Sequence, residues 1–150
     1  MSPYLQILWF CSMTVPAYAF FRGAAPERRT AITILIWFLA DPVYHRIFGP
    51  PQFVALDYGH AVLDGMELTA LLLIALRANR LWPLWAAGAQ FAAMSGHFAM
   101  AVHSAGVTSA YWAVTQLPIF PQLFALVLGT VAHERRLRRI GPYRDWRPTG

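Results

Sequence analysis

Five apolar stretches, at roughly 4–21, 30–48, 54–77, 81–104 and 108–132, account for most of this 150-residue chain. A helix of about 20 apolar residues covers the hydrocarbon of a bilayer, because each residue adds about 1.5 Å and the helix satisfies its own backbone polar groups. Each stretch is near that length. At 57% hydrophobic and 13% charged residues, the composition suits no ordinary water-soluble domain of this size. The expected fold is therefore all-α: a polytopic bundle of five transmembrane helices over 1–132, then a basic tail over 133–150.

Two of these spans carry a complication. In the first, Ala17, Tyr18 and Ala19 resemble a signal-peptide cleavage site, but Met1 to Gln6 contains no Lys or Arg. It reads as a retained span. In the second, the strictly apolar run from Thr30 to Ala40 ends at Asp41-Pro42, so this span is expected to be short, broken or re-entrant, with Asp41 able to cap a short interfacial helix to Phe48. Pro16, Pro118 and Pro121 are expected to kink the first and last spans. The single cysteine, Cys11, excludes an intrachain disulfide and a Cys-based zinc framework.

Orientation follows from the basic residues, all twelve of which are Arg. Cytoplasmic loops accumulate such charges. With five spans, one side holds Arg22, Arg28, Arg29, Arg77, Arg80 and the six Arg of the tail, eleven in all, and the other side holds only Arg46. The N-terminus is thus expected outside and the C-terminus in the cytoplasm, in a bacterial inner membrane. The tail reads as a stop-transfer anchor facing anionic lipid, not as a nucleic-acid contact.

Ionisable side chains inside a span cost about 2.5–3.5 kcal/mol each at mid-depth, so they usually face a protein interior or a wet cavity. The third span has four, Asp57, His60, Asp64 and Glu67, whose spacings of three, four and three residues put them within about 80° of one another on a helix. With Asp41, Tyr44 and His45 ending the second span and His97 and His103 ending the fourth, eight of the chain's twelve Asp, Glu and His residues fall in the outer half of the membrane. His103 points about 120° away from His97, which leaves His97 as the residue that faces a pocket. The pattern predicts a polar pocket open to the periplasm, lined by Glu67 and Asp64 as acid-base groups and by His45, His60, Asp57, His97, Asp41 and Gln116 as ligand-binding groups.

Three functions suit such a pocket. The first is binding or acid-base modification of a small lipophilic ligand, with no cofactor required. The segment GMELTALLLIALRANRLWPLW, followed by Gln90, Gly96 and a proline-containing last span, resembles the core of the EXPERA superfamily, which includes emopamil-binding sterol isomerases and sigma-2-type receptors. Trp37-Phe38 and His45 keep the spacing of the isomerases' WF and catalytic His, and Glu67 with Thr69 resembles their Glu and nearby Thr. Gly49 stands where the isomerases have a second acidic residue. The resemblance implies a five-span, N-outside bundle with a site for a sterol-, isoprenoid- or lipid-like molecule. The second function is a metal site on His60, Asp64 and His97, or a haem b held between His60 and His97 at equal depth. The third is a non-catalytic subunit whose polar seam docks in a homo-oligomer or a larger membrane complex, helped by the small residues of AAGAQFAAMSG. No nucleotide-binding loop, nucleophile triad or repeat is present.

Overall fold

A computed structural model of the chain describes residues 3–50, 53, 55–102 and 108–148. Six helical segments run in order: α1 (Pro3–Arg22), α2 (Ala25–Phe48), α3 (Tyr58–Arg77), α4 (Trp82–Val102), α5 (Thr108–Gln116) and α6 (Ile119–Ile140). The described residues contain no β-strand, only an isolated antiparallel bridge between Ala78 and Trp146. The last two segments are halves of one 33-residue rod. They part at Leu117-Pro118, where proline lacks a donor and the turn closes through Leu117 N to Ala113 O at 3.0 Å and Phe120 N to Leu117 O at 3.1 Å.

Four of the five rods, α1, α2, α3 and α5–α6, are long and apolar enough to cross a membrane. The exception is α4, which has comparable length but carries Gln90, Ser95 and His97 among many small residues. It packs against α3, α5 and α6, and a helix shielded by neighbours does not have to be apolar all round. Its approach to α5 is close enough that a Cβ on Gly96 would lie 2.9 Å from Val114 Cγ1.

The interruption expected at Asp41-Pro42 does not occur, since α2 is one unbroken helix of 24 residues. It starts at Ala25, earlier than the apolar run, and Glu27 closes its first turn by accepting from Ala24 N at 3.1 Å. Pro42 forfeits one backbone hydrogen bond, whereas stopping at Asp41 would strand the last carbonyls of a helix inside hydrocarbon. Pro16 and Pro121 likewise leave their helices whole. α2 ends at Gly49, whose φ of 106° suits glycine and whose N–H bonds His45 O at 3.1 Å.

Core packing is divided between two small clusters. Ala19, Ala31, Ile34, Leu123 and Leu126 join α1, α2 and α6, and Leu71, Ala75 and Ala87 join α3 to α4. Large apolar side chains such as Phe10, Ile47, Val62, Phe91, Phe98 and Phe124 remain exposed around the outside.

One end of the bundle is tied by buried charge. Glu27, fully buried, accepts from Arg80, from Trp82 Nε1 at 3.0 Å and from Ala24 N. The Trp82 ring lies on Gly129 of α6, where any Cβ would overlap it. Arg80 also donates to Asp145 Oδ1 at 2.7 Å, Arg147 N donates to Arg77 O at 2.8 Å, and Arg22 pairs with Glu134. The tail expected from residue 133 is therefore partly helix, through Ile140, and its last described residues fold back on the α3–α4 turn.

Candidate functional site

The opposite ends of the same helices hold the polar seam. A cavity of about 110 Å³ lies there, with Leu8, Ile34, Trp37 and Phe38 of α1 and α2 as one wall and Asp41, His60, Asp64, Glu67, Gln90, Gln116 and Gln122 on the other sides. Its position follows from the 3.6-residue repeat of α3, which turns His60, Asp64 and Glu67 toward the interior together.

Asp64 is the hub. Its Oδ2 lies 2.8 Å from His97 Nε2 and 3.8 Å from His60 Nε2. His97, buried on α4, places its other ring nitrogen 2.8 Å from the Tyr111 hydroxyl of α5. His60 faces a second carboxylate, with Nδ1 2.8 Å from Asp41 Oδ1. These two atoms are off hydrogen-bonding angle despite their closeness, so both are buried without a hydrogen bond. Gln116 Nε2 stands 3.5 Å from His60 Nε2.

Deeper in the cavity, Glu67 is 7% exposed and its Oε1 has no hydrogen-bond partner among the described residues. Beside it, Gln122 Nε2 donates to Gln90 Oε1 at 2.6 Å, and Gln90 Nε2 donates to Asp64 O at 3.2 Å. The glutamine pair fixes the main chain of α3 against α4 and α6.

At the open end, His45 Nδ1 donates to Gly49 O at 3.0 Å, and its Nε2 lies 3.3 Å from Asp41 Oδ1. The ring stacks on His60, with centroids 5.7 Å apart. Asp57 caps α3, accepting from His60 N at 3.0 Å and from the Tyr44 hydroxyl at 2.8 Å. Asp57 supports the site but does not line the cavity.

Of the residues expected to form the pocket, Asp41, His60, Asp64, Glu67 and Gln116 line it, His45, His97 and Asp57 stand behind them in contact with the lining residues, and Thr69 stands apart. Thr69 is exposed and its hydroxyl donates to Gly65 O at 2.8 Å, away from the cavity. His103 lies outside the described residues. Sequence reasoning did not give Tyr111 its place beside His97, nor Gln122 its place on Gln90. An uncharged polar residue within an apolar rod was the available signal for Gln122.

Two groups of side chains have the composition and spacing of a metal site: His60, Asp64 and His97, and Asp41, His45 and His60, with the ligand atoms of each group within 4.8 Å of one another. In a tetrahedral site with bonds of about 2.0–2.1 Å, ligand atoms are about 3.3 Å apart. The four carboxylate-to-imidazole separations, 2.8 to 3.8 Å, bracket that value. A porphyrin, by contrast, has no room: His60 and His97 have ring centroids 5.4 Å apart and Asp64 reaches both.

The chain matches no protein-family model, no curated protein and no solved structure.

Proposed function

We propose that the protein is an integral membrane protein that holds a divalent transition-metal ion on His60, Asp64 and His97. The observation that carries this reading is the convergence of two imidazole nitrogens and a carboxylate oxygen from α3 and α4 beside a cavity that also contains the unpartnered Glu67 oxygen. Mixed nitrogen and oxygen donors suit zinc and neighbouring first-row ions. Tyr111 orients His97 from behind, as partners outside the ligand set do in metal sites. Three protein ligands leave a coordination position toward the cavity, the arrangement of a catalytic site and not of a closed structural one. An ion bound there supplies a Lewis acid to a small molecule in the cavity.

Cavity size favours this reading over a site for a sterol-sized molecule. Pockets for drug-sized ligands run to about 300–1,000 Å³, against about 110 Å³ here. A second reading, binding of a smaller lipophilic ligand, is favoured by the apolar wall of Leu8, Ile34, Trp37 and Phe38 opposite Asp64 and Glu67. It agrees with what the EXPERA resemblance implies for His45 and Glu67.

The same proposal includes five crossings of a bacterial inner membrane, with the N-terminus outside and the tail in the cytoplasm. What supports it is the division of charge along α3. Arg77 and Arg80 stand at its C-terminal end among the contacts to the tail, while Asp57 and His60 stand at its N-terminal end. The site then opens to the periplasm.

The test is metal analysis of protein purified without chelator, with Asp64→Asn and His97→Ala alongside. The expected result is at least one ion per chain in the parent and one ion fewer in each variant, each still helical and monodisperse. A parent chain that neither retains nor takes up zinc, copper, iron, manganese, cobalt or nickel refutes the reading.

A further inference from the structure

His60 belongs to both groups of candidate ligands. Its Nε2 faces Asp64 and, beyond it, His97, while its Nδ1 faces Asp41 and, beyond it, His45. We propose that His60 bridges two metal ions, the second held by Asp41 Oδ1, His45 Nε2 and His60 Nδ1.

Three features point to this second ion independently of the first. One is the contact between His60 Nδ1 and Asp41 Oδ1, which is 2.8 Å long yet misdirected for a hydrogen bond, with both atoms buried and His45 Nε2 3.3 Å from the same carboxylate oxygen. Such a pair is accounted for by an ion that accepts both lone pairs. Another is the tautomer of His45. Donation from Nδ1 to Gly49 O leaves the lone pair of the neutral ring on Nε2, directed at the Asp41 side. A histidine held through its other N–H by a backbone carbonyl is the usual supporting arrangement for a ligating imidazole. Gly49, with its φ of 106°, turns the chain at this carbonyl. The last is the anchoring of His60, whose backbone N–H is held by Asp57, itself fixed by Tyr44. The ring is thereby positioned between the two carboxylates, Asp41 and Asp64, at 2.8 and 3.8 Å.

Bridging requires both ring nitrogens of His60 to be free of protons. A neutral His60 therefore releases its one N–H proton to solvent when the second ion binds. With bonds of about 2 Å at each nitrogen, the two ions stand on the order of 6 Å apart. The ions differ in setting. One lies deep beside Glu67 and Gln90, and the other lies at the open end, where Asp41 is 39% exposed.

This inference rests on the proposed metal function and is tested with the same full-length chain. Zinc and copper stoichiometry are measured in the parent and in His45→Ala, Asp41→Asn, His97→Ala and His60→Ala. Two ions per chain are expected in the parent, one in His45→Ala and in Asp41→Asn, and fewer than one in His60→Ala. A copper-loaded parent should give an electron paramagnetic resonance signal well below one spin per copper, because an imidazolate couples the two spins. His45→Ala should restore one full spin per bound copper. Loss of helicity in His45→Ala shifts the decision to Asp41→Asn and to the spin count of the parent, which needs no substitution. One ion per chain in the parent, or two with full uncoupled spin, overturns the bridge and leaves the single site standing. No ion at all overturns both.

Discussion

Replacing Arg80 by Met puts a number on the buried charges at the basic end. Glu27 is fully exposed to neither water nor lipid, having 0% accessible side chain, and Arg80 is 7% exposed. Removing one partner of a buried ion pair costs about 3–5 kcal/mol, because the other charge is left uncompensated. Two donors to Glu27 survive the change, Trp82 Nε1 at 3.0 Å and Ala24 N at 3.1 Å. Asp145 loses Arg80 too, but at 29% side-chain exposure it can be hydrated. These surviving contacts put the expected loss at the lower end, about 3 kcal/mol, or roughly a hundredfold in the unfolding equilibrium. Adding Glu27→Gln removes the stranded charge and should recover at least half of the loss, a coupling of about 1.5 kcal/mol or more. The assay is reversible unfolding in mixed micelles titrated with sodium dodecyl sulfate, followed by helicity. Metal content should stay constant, since the site lies at the other ends of α3 and α4. A single variant within about 0.5 kcal/mol of the parent, or a double variant showing simple additivity, would refute the account.

Two further outcomes follow from single residues. Tyr111→Phe removes the hydroxyl 2.8 Å from His97 Nδ1 and should weaken metal affinity by about 10- to 100-fold while leaving stoichiometry intact; competition with a chromophoric chelator measures it, and an unchanged affinity would show that Tyr111 only packs. Burial holds the Tyr143 phenol of the tail above its ordinary 10.0, with Glu27 and Asp145 adding to the rise and Arg80 and Arg136 opposing it. A raised folded value means that the unfolded chain ionises first, so this contribution to stability is full below about pH 10 and is lost as pH rises through the folded value. Unfolding measured from pH 8 to 11 should show that loss in the parent and a smaller one in Tyr143→Phe.

The candidate site was legible wherever one helix carried it. Asp57, His60, Asp64 and Glu67 could be placed on one face from their spacing alone, and burial of that face follows from the cost of ionisable groups in lipid. Contacts between rods were harder to read. Asp41 and His45 can be placed in the pocket from their depth, but an expected break at Asp41-Pro42 erases the helical register that brings them to His60. Thr69 was chosen through a family pattern, yet two residues beyond Glu67 is about 200° around a helix, on the outer face. Glu27 had no local signal, because its partner Arg80 is 53 residues away. The number of rods, in contrast, needed only the length of apolar runs.

The ties among Glu27, Arg80 and Trp82, with Leu71, Ala75 and Ala87 above them, have a consequence for equilibrium. They occupy the interior between the cavity and the tail. Under the proposed topology, a solute in the cavity exchanges at the end where α2 stops and α3 begins. Occupancy of a compartment open to one side is set by the free concentration on that side and not by a gradient across the bilayer. A protein of the proposed topology is a receptacle in equilibrium with one aqueous phase, and the work expected of it is chemistry in the cavity.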